Sequence, residues 1–182
     1  MPVFSFLATR PAELPAETRL YELTPRPHAS QKSPLPEPLR RATYLADGPE
    51  AVPGAALVVP ADGQLMFERA GSGPGRGGVV RLLLNVRKPG ITRGQFARHW
   101  REVHAPLAIG MHPHYDYYTT NISTDPDGEW DGVLQEWFPT REAFEEHEAG
   151  LGDVKKEVSD DYQYFLADSA ECPQWIGVEV ES

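Results

Sequence analysis

The sequence predicts an α+β protein in which residues 79–182 form a compact βαββαβ domain. Three observations support this prediction. Strand-like and helix-like apolar patterns alternate in that order after residue 79, the run Gly-Ser-Gly-Pro-Gly-Arg-Gly-Gly at 71–78 has the composition of a linker, and the preceding part is rich in proline. We therefore predict an N-terminal extension at 1–70 that is loop-rich and partly β, a linker at 71–78 and the α+β domain at 79–182.

A strand is predicted to open this domain at residues 79–86. Its apolar residues recur at every second position, which is the period of a strand with one buried face. They are Val80, Leu82, Leu84 and Val86, and Asn85 lies on the other face. The turn residues Lys-Pro-Gly at 88–90 end the strand.

A helix of about four turns is predicted to follow. Thr92 can cap it, and Gln95 stands three residues later, as in a capping box. A single apolar stripe then runs along the helix at steps of four, three and four residues, through Phe96, Trp100, Val103 and Leu107. Gly110 is predicted to end it.

Three further strands and two helices complete the predicted domain. The strands are predicted at residues 115–122, 132–138 and 175–180. Thr140 and Ser159 can each cap a helix between the last two strands. This order of elements is that of the ferredoxin-like split βαβ fold, in which helices cover one face of a four-stranded antiparallel sheet.

The other face of that sheet also needs cover. It would carry Tyr115, Tyr117 and Trp137 in one register, or Tyr118 and Phe138 in the other, and so aromatic a face rarely stays in water. Two copies of the chain that pack sheet on sheet around a two-fold axis would bury it. We therefore expect a homodimer, with cover by the N-terminal half of the same chain as the alternative.

The N-terminal part has short strand-like runs but no named fold. These runs are Val3 to Ala8, Ala42 to Ala46, Ala55 to Val59 and Gln64 to Glu68. Most of the prolines lie between residues 11 and 60, with little sustained periodicity, so this segment is predicted to be mostly loop.

Composition excludes several classes of function. The net charge of −10 and the absence of a basic patch argue against nucleic acid as a partner. No apolar run approaches the roughly 20 residues of a membrane-spanning helix, and the first residues lack the pattern of a secretory signal. We expect a cytoplasmic protein. Cys172, the only cysteine, lies beside a glutamate that would raise its pKa, and we predict that it is inert.

Two groups of short motifs resemble the EthD family. The first is Lys-Pro-Gly-Ile-Thr at 88–92 followed by Phe96, Trp100, His104, Pro106 and Leu107. The second is Asp131-Gly132-Val133, then Glu136-Trp137-Phe138 and Ala143-Phe144. The family's first helix carries a K-P-G-hydrophobic-[ST] turn and an F-x(3)-W-x(3)-H pattern, and the resemblance lies wholly within residues 79–182.

The resemblance implies a dimeric α+β barrel with a largely apolar pocket that needs no cofactor. Family members include accessory proteins of ether degradation, and dehydratases or cyclases that act on aromatic, polyketide-like compounds. Residues 1–78 lie outside the family's pattern. They could cover the pocket, extend the dimer interface or form a degenerate half-repeat.

His104 is the first candidate for catalysis. It lies four residues after Trp100, near the edge of the apolar stripe, and an imidazole can both accept and donate a proton near neutral pH. The alternative is a core histidine that only bonds a carbonyl. Asp131, at the start of a strand, is the second candidate, either as a partner that orients His104 or as a cap of the hairpin. The predicted substrate-binding residues are Trp100, Tyr115, Tyr117, Trp137 and Asn85.

The sequence predicts no metal ion and no nucleotide cofactor. His99, His104, His112 and His114 fall within sixteen positions. However, His99 and His104 are five residues apart, which on an α-helix places them about 140° from each other. No metal motif accompanies them, and the glycine-rich run precedes a strand rather than a helix.

Together with the resemblance to the EthD family, these residues favour a cofactor-independent lyase or cyclase. His104 would transfer protons during dehydration or ring closure of a hydrophobic, aromatic, polyketide-like carbonyl compound. A cofactor-free oxygenase of the same barrel type is one alternative. A non-catalytic carrier of a hydrophobic metabolite, in which His104 is only an anchor, is another.

Overall fold

The computed structural model describes residues 1–26, 37, 39–69, 73–74, 77–111, 116–150, 154–167 and 172–181. The strands in these ranges are β1 (Val3–Leu7), β2 (Arg19–Pro25), β3 (Tyr44–Gly48), β4 (Leu57–Glu68), β5 (Val79–Asn85), β6 (Tyr117–Ser123), β7 (Gly132–Phe138) and β8 (Gln174–Val180). The helices are α1 (Arg93–His99), α2 (Ala105–Met111), α3 (Arg141–Gly150) and α4 (Val154–Phe165). A π-helical turn, Trp100–His104, joins α1 to α2, and a 3₁₀ turn covers Leu39–Arg41.

The strands within the described residues form one closed antiparallel barrel, in the order β1-β3-β2-β8-β5-β7-β6-β4. Each half of the chain contributes four neighbouring strands. The spatial order of the strands is β4-β1-β3-β2 in the first half and β8-β5-β7-β6 in the second. If the strands of each half are numbered 1 to 4 along the chain, both halves have the order 4-1-3-2. Two seams join the halves, where β2 pairs with β8 and β4 pairs with β6. A single chain therefore closes the barrel.

Apolar side chains from both halves fill the barrel interior. The ring of Phe6 lies 5.3 Å from that of Trp175, and Tyr21 meets Trp137 edge to face at 5.6 Å. The inner face of the second-half sheet is thus covered by the first half of the same chain. The aromatic face that suggested a second copy is already buried, and the homodimer stays a prediction.

Helices α1, α2, α3 and α4 cover the outer face of the second-half sheet. Their contact with the sheet forms a second apolar core that includes Phe96, Trp100, Phe138 and Phe165. The outer face of the first-half sheet carries a smaller cluster around Leu7, Leu20, Ala46 and Val52. Within the described residues, a layer of α-helices therefore lies on the second half only.

The predicted elements of the second half agree with the structure in outline. Thr92 caps α1, and the capping box with Gln95 is present. Strand β7 has the predicted bounds, while the helix predicted to end at Gly110 continues to Met111. The prediction that Ser159 caps a helix is wrong, because α4 begins five residues earlier.

The apolar stripe of the first helix differs from the prediction at one position. Val103 is 47% exposed, whereas His104, the next residue, is 1% exposed. The π turn causes this change, because the backbone N–H of Ala105 bonds the carbonyl of Trp100, five residues back. The wider turn contains one more residue than an α-helical turn, so His104 takes the buried position predicted for Val103.

The first half is more regular than predicted. Strand β2 was not predicted, and the runs predicted at 55–59 and 64–68 belong to one twelve-residue strand, β4, with a register shift between Leu65 and Phe67. Much of the predicted linker lies outside the described residues. Since residues 1–70 and 79–182 share the barrel interior, the boundary at 71–78 does not separate two cores.

A glycine at the seam between β2 and β8 provides a test of this packing. A Cβ at Gly177 would lie 2.8 Å from Cγ1 of Val80 and 3.4 Å from Leu23 and Tyr21. Gly177→Ala should therefore lower the free energy of unfolding by about 1–3 kcal/mol, as overpacked cores do.

Gly110→Ala is the matched control, because a Cβ at this position in α2 would meet nothing within 4 Å. It should be neutral or raise stability by up to about 1 kcal/mol. Urea denaturation followed by tryptophan fluorescence measures both variants. Equal stabilities for the two variants would contradict the closed seam.

Candidate functional site

His104 lies between the helices and the outer face of the second-half sheet. Its Nδ1 is 2.9 Å from Oδ2 of Asp161 on α4. Its ring packs on Tyr162 and Phe165, with centroids 4.6 and 4.9 Å away. One helix therefore supplies both the carboxylate and the aromatic rings that fix the orientation of this imidazole.

His99 bonds the same carboxylate. Its Nε2 lies 3.0 Å from Oδ1 and 3.1 Å from Oδ2 of Asp161. The expectation that His99 and His104 face apart is wrong. It assumed an α-helical period, and the π turn between them has more residues per turn, which brings both rings to one side.

The surroundings of His104 keep its ring uncharged near neutral pH. Burial lowers the pKa of His104 below its ordinary value of 6.5, while the hydrogen bond and charge of Asp161 partly offset this effect. The carboxylate accepts a hydrogen bond, so Nδ1 carries the proton in the uncharged ring. The lone pair is then on Nε2, which is the atom that can accept a proton.

Two phenols, Tyr118 and Tyr162, lie in the same layer as His104. Burial raises the pKa of Tyr118 well above its ordinary value, with a further contribution from the charge of Glu136. Burial likewise raises the pKa of Tyr162 to about 12. Both hydroxyls stay protonated across the physiological range. They are donors suited to an oxygen atom that gains negative charge.

A buried ion pair lies in the same layer. Glu136 is 1% exposed and pairs with Arg81, which also pairs with Glu148 at 3.1 Å. Burial lowers the pKa of His104 and raises that of Tyr162, and the charges of Glu136 and Arg81, respectively, partly offset these two shifts. The arrangement can therefore hold a basic imidazole beside hydrogen-bond donors and a fixed charge pair.

The structure separates the predicted substrate-binding residues. Trp100 lies near His104, and its Nε1–H donates to the Tyr118 hydroxyl at 3.3 Å. Tyr117 and Trp137 instead face the barrel interior, on the opposite side of the sheet. Asn85 is buried at the end of β5, and its Oδ1 has no hydrogen-bond partner among the described residues. Tyr115 lies outside the described residues.

Asp131 does not reach His104. It accepts bonds from the backbone N–H of Arg87 at 2.8 Å and from Nε of Arg93 at 3.0 Å, and it also pairs with the Arg87 guanidinium. The predicted pairing of Asp131 with His104 is wrong, because Asp161 is the carboxylate that bonds this imidazole. Any catalytic role of Asp131 stays a prediction.

Asp161 was missed by the sequence-based reasoning, although one signal pointed to it. It stands four residues before the apolar residue Phe165, so both share one helix face. The sequence placed Glu136 and Tyr118 on strands but did not determine which face of the sheet each side chain occupies. The pairing of β6 with β7 places both against the helices.

No group of three or more His, Cys, Asp or Glu side chains within the described ranges is arranged to hold a metal ion. His112 and His114 lie outside these ranges. Among the described helices, none has the length and apolar character to cross a membrane.

The fold and the site define an antiparallel α+β barrel with a histidine–carboxylate site beneath the helices of one half. Residues 88–167 are the part of the chain that matches the model of the EthD domain. His99, His104 and Asp161 all lie inside it. No curated protein matches the chain.

Three solved structures are similar to this chain to different degrees. The crystal structure of a "putative monooxygenase" from Fusobacterium nucleatum subsp. nucleatum is similar over 99% of this chain and 91% of that one, with 10% identity and a TM-score of 0.55. A protein of the same description from Lactobacillus acidophilus has 10% identity, covers 98% and 91%, and has a TM-score of 0.47. LmHde, a heme-degrading enzyme from Listeria monocytogenes, has 15% identity, covers 74% and 77%, and has a TM-score of 0.42. At 10% identity, the likeness to the Fusobacterium nucleatum protein shows the fold alone.

Removal of one charge tests the buried ion pair. Glu136→Gln keeps the shape of the side chain and deprives Arg81 of one of its carboxylates, so the free energy of unfolding should fall by about 3 kcal/mol. Glu145→Gln, an exposed change on α3, is the control and should stay within about 0.5 kcal/mol of the wild type. Thermal and urea unfolding measure both, and an unchanged Glu136→Gln variant would contradict a buried pair.

Proposed function

We propose that the chain is an enzyme in which His104 acts as general base and general acid on a small, hydrophobic, aromatic carbonyl compound. One observation carries this proposal. The buried, uncharged imidazole donates Nδ1–H to Asp161, which leaves Nε2 to accept a proton. A carboxylate in this position orients the ring and stabilises the imidazolium that forms.

The proposed reaction begins with removal of a proton from carbon next to the carbonyl group. Nε2 of His104 takes this proton, and the electron pair of the C–H bond moves to the carbonyl oxygen to give an enolate. Tyr162, whose ring lies 4.6 Å from that of His104, supplies a nearby hydroxyl donor for this oxyanion. His104 then returns the proton to a hydroxyl on the neighbouring carbon. Water leaves, a C=C bond forms and the net reaction is a dehydration. If the enolate instead attacks a second carbonyl, a C–C bond closes the ring, and His104 gives its proton to the alkoxide that forms.

A cofactor-free oxygenase is the second candidate. The fold that this chain shares with the monooxygenase-named protein of Fusobacterium nucleatum favours it. The first step would be the same removal of a proton by His104, here from a phenol or anthrone. The carbanion would then reduce dioxygen, so that one oxygen atom enters the product as a carbonyl and the other leaves as water.

We also propose that residues 1–70 are a degenerate half-repeat of the EthD-like half. The strand order 4-1-3-2 in both halves supports this, as does the pairing of each half's second strand with the other half's fourth. The first half lacks helices α1 to α4 and any counterpart of His104 in its described residues. Each chain would then hold one site.

The role of His104 predicts a large loss of turnover when the ring is removed. With aromatic β-hydroxy ketones or anthrones as trial substrates, His104→Ala should reduce kcat/KM at least tenfold, because a general base contributes about 10²–10⁴ in rate. Val103→Ala is the control, since this neighbour in the π turn is exposed. Undiminished turnover in a folded His104→Ala protein would refute the proposal.

An oxygen electrode distinguishes the candidates. A lyase or cyclase consumes no dioxygen, whereas the oxygenase consumes one molecule for each product. Tight binding of these compounds without turnover, unaffected by His104→Ala, would identify a carrier instead.

A further inference from the structure

His99 has no role in the proposed reaction, yet it is bonded to the same carboxylate as His104. Its side chain is 25% exposed, whereas that of His104 is 2% exposed and that of Asp161 is 11% exposed. The three groups therefore form a chain from solvent to the buried base. The links are 2.9 Å from Asp161 to His104 and 3.0 Å from Asp161 to His99.

The geometry of His99 fixes the carboxylate. Its Nε2 lies at almost equal distances from the two oxygens of Asp161, and one of these, Oδ2, also receives the Nδ1–H of His104. Phe165 touches both imidazoles, stacked on His99 at 5.0 Å and tilted against His104 at 4.9 Å. Rotation of the carboxylate would break bonds to both rings.

One carboxylate can neutralise only one positive charge. If His99 gains a proton, its charged ring pairs with Asp161. A second positive charge on His104 would then be repelled by the charge of His99 and would be balanced less fully by the carboxylate. The groups that face His104 are Asp161 and Tyr162 from α4, Glu136 from β7 and His99 from α1. Those that face His99 are Asp161 and Tyr164. Glu136 acts on His104 without contacting His99, so Asp161 is the group they share.

We propose that His99 is a positioning residue for His104. It holds the carboxylate that selects the tautomer of His104, and protonation of His99 makes His104 a weaker base. This inference rests on the proposed function only in that His104 is the base; the coupling between the rings exists without a substrate.

The test is an NMR titration of the two imidazoles in the substrate-free, full-length protein. In the wild type, the Hε1 signal of His104 should shift in two steps, because its ring senses the charge of His99. His99→Gln can still donate to Asp161 but cannot become charged. The pKa of His104 should then rise, because the charge of His99 lowers it in the wild type.

Arg98→Gln is the matched control. It removes a full positive charge from the neighbouring exposed residue. A rise in the pKa of His104 that is clearly larger in His99→Gln than in Arg98→Gln is the expected result. Equal rises would show only a long-range effect of charge, and no rise in His99→Gln would show that the rings are independent. Either outcome overturns the proposal.

If His99→Gln does not fold, the wild-type protein still tests the proposal, since a single-step curve for His104 also overturns it. The outcome is separate from that of the proposed function. Coupled rings in a protein whose His104→Ala variant keeps full turnover would leave the coupling intact and refute catalysis by His104.

Discussion

Closure of the barrel by two seams within one chain is the constraint on which the rest of the structure depends. Pairing of β2 with β8 and of β4 with β6 fixes the register of both sheets. Side chains alternate along a strand, so a slip of one residue would exchange the inner and outer sets. Closure thus assigns Trp137 and Tyr117 to the packed interior, and Glu136 and Tyr118 to the layer beneath the helices.

The site depends on this assignment and on one local irregularity. The barrel interior is filled by aromatic side chains from both halves, while the outer face of the second-half sheet meets α1, α2 and α4. The π turn then buries His104 in place of Val103. Burial of an imidazole is costly unless it is hydrogen-bonded, and Asp161 supplies that bond. The same contact that stabilises the buried ring also orients it for proton transfer.

The sequence predicted the elements whose patterns are local. The capping box of Thr92 and Gln95 and the seven residues of β7 are both set by neighbours in the chain. Strand β2 was missed because prolines surround it and because its buried and exposed residues do not alternate regularly. Tyr117 and Tyr118 could not be assigned to faces, since register depends on partner strands.

The partner of His104 could not be predicted for a similar reason. Asp131 and Asp161 lie 27 and 57 residues after it, and only the packing of α4 on the π turn selects the second. The cover of the sheet was also ambiguous. An aromatic face shows that something must bury it, but whether a second copy or the first half of the chain does so depends on the seams.

The protonation of His104 at its two nitrogens tests the account most directly. Long-range ¹H–¹⁵N correlation spectra of the imidazole, recorded near neutral pH with His104→Gln for assignment, distinguish a protonated nitrogen from a bare one. The account predicts a proton on Nδ1, held by Asp161, and a bare Nε2. A ring with its proton on Nε2, or one that is fully charged at that pH, would contradict the claim that His104 is the base of this site.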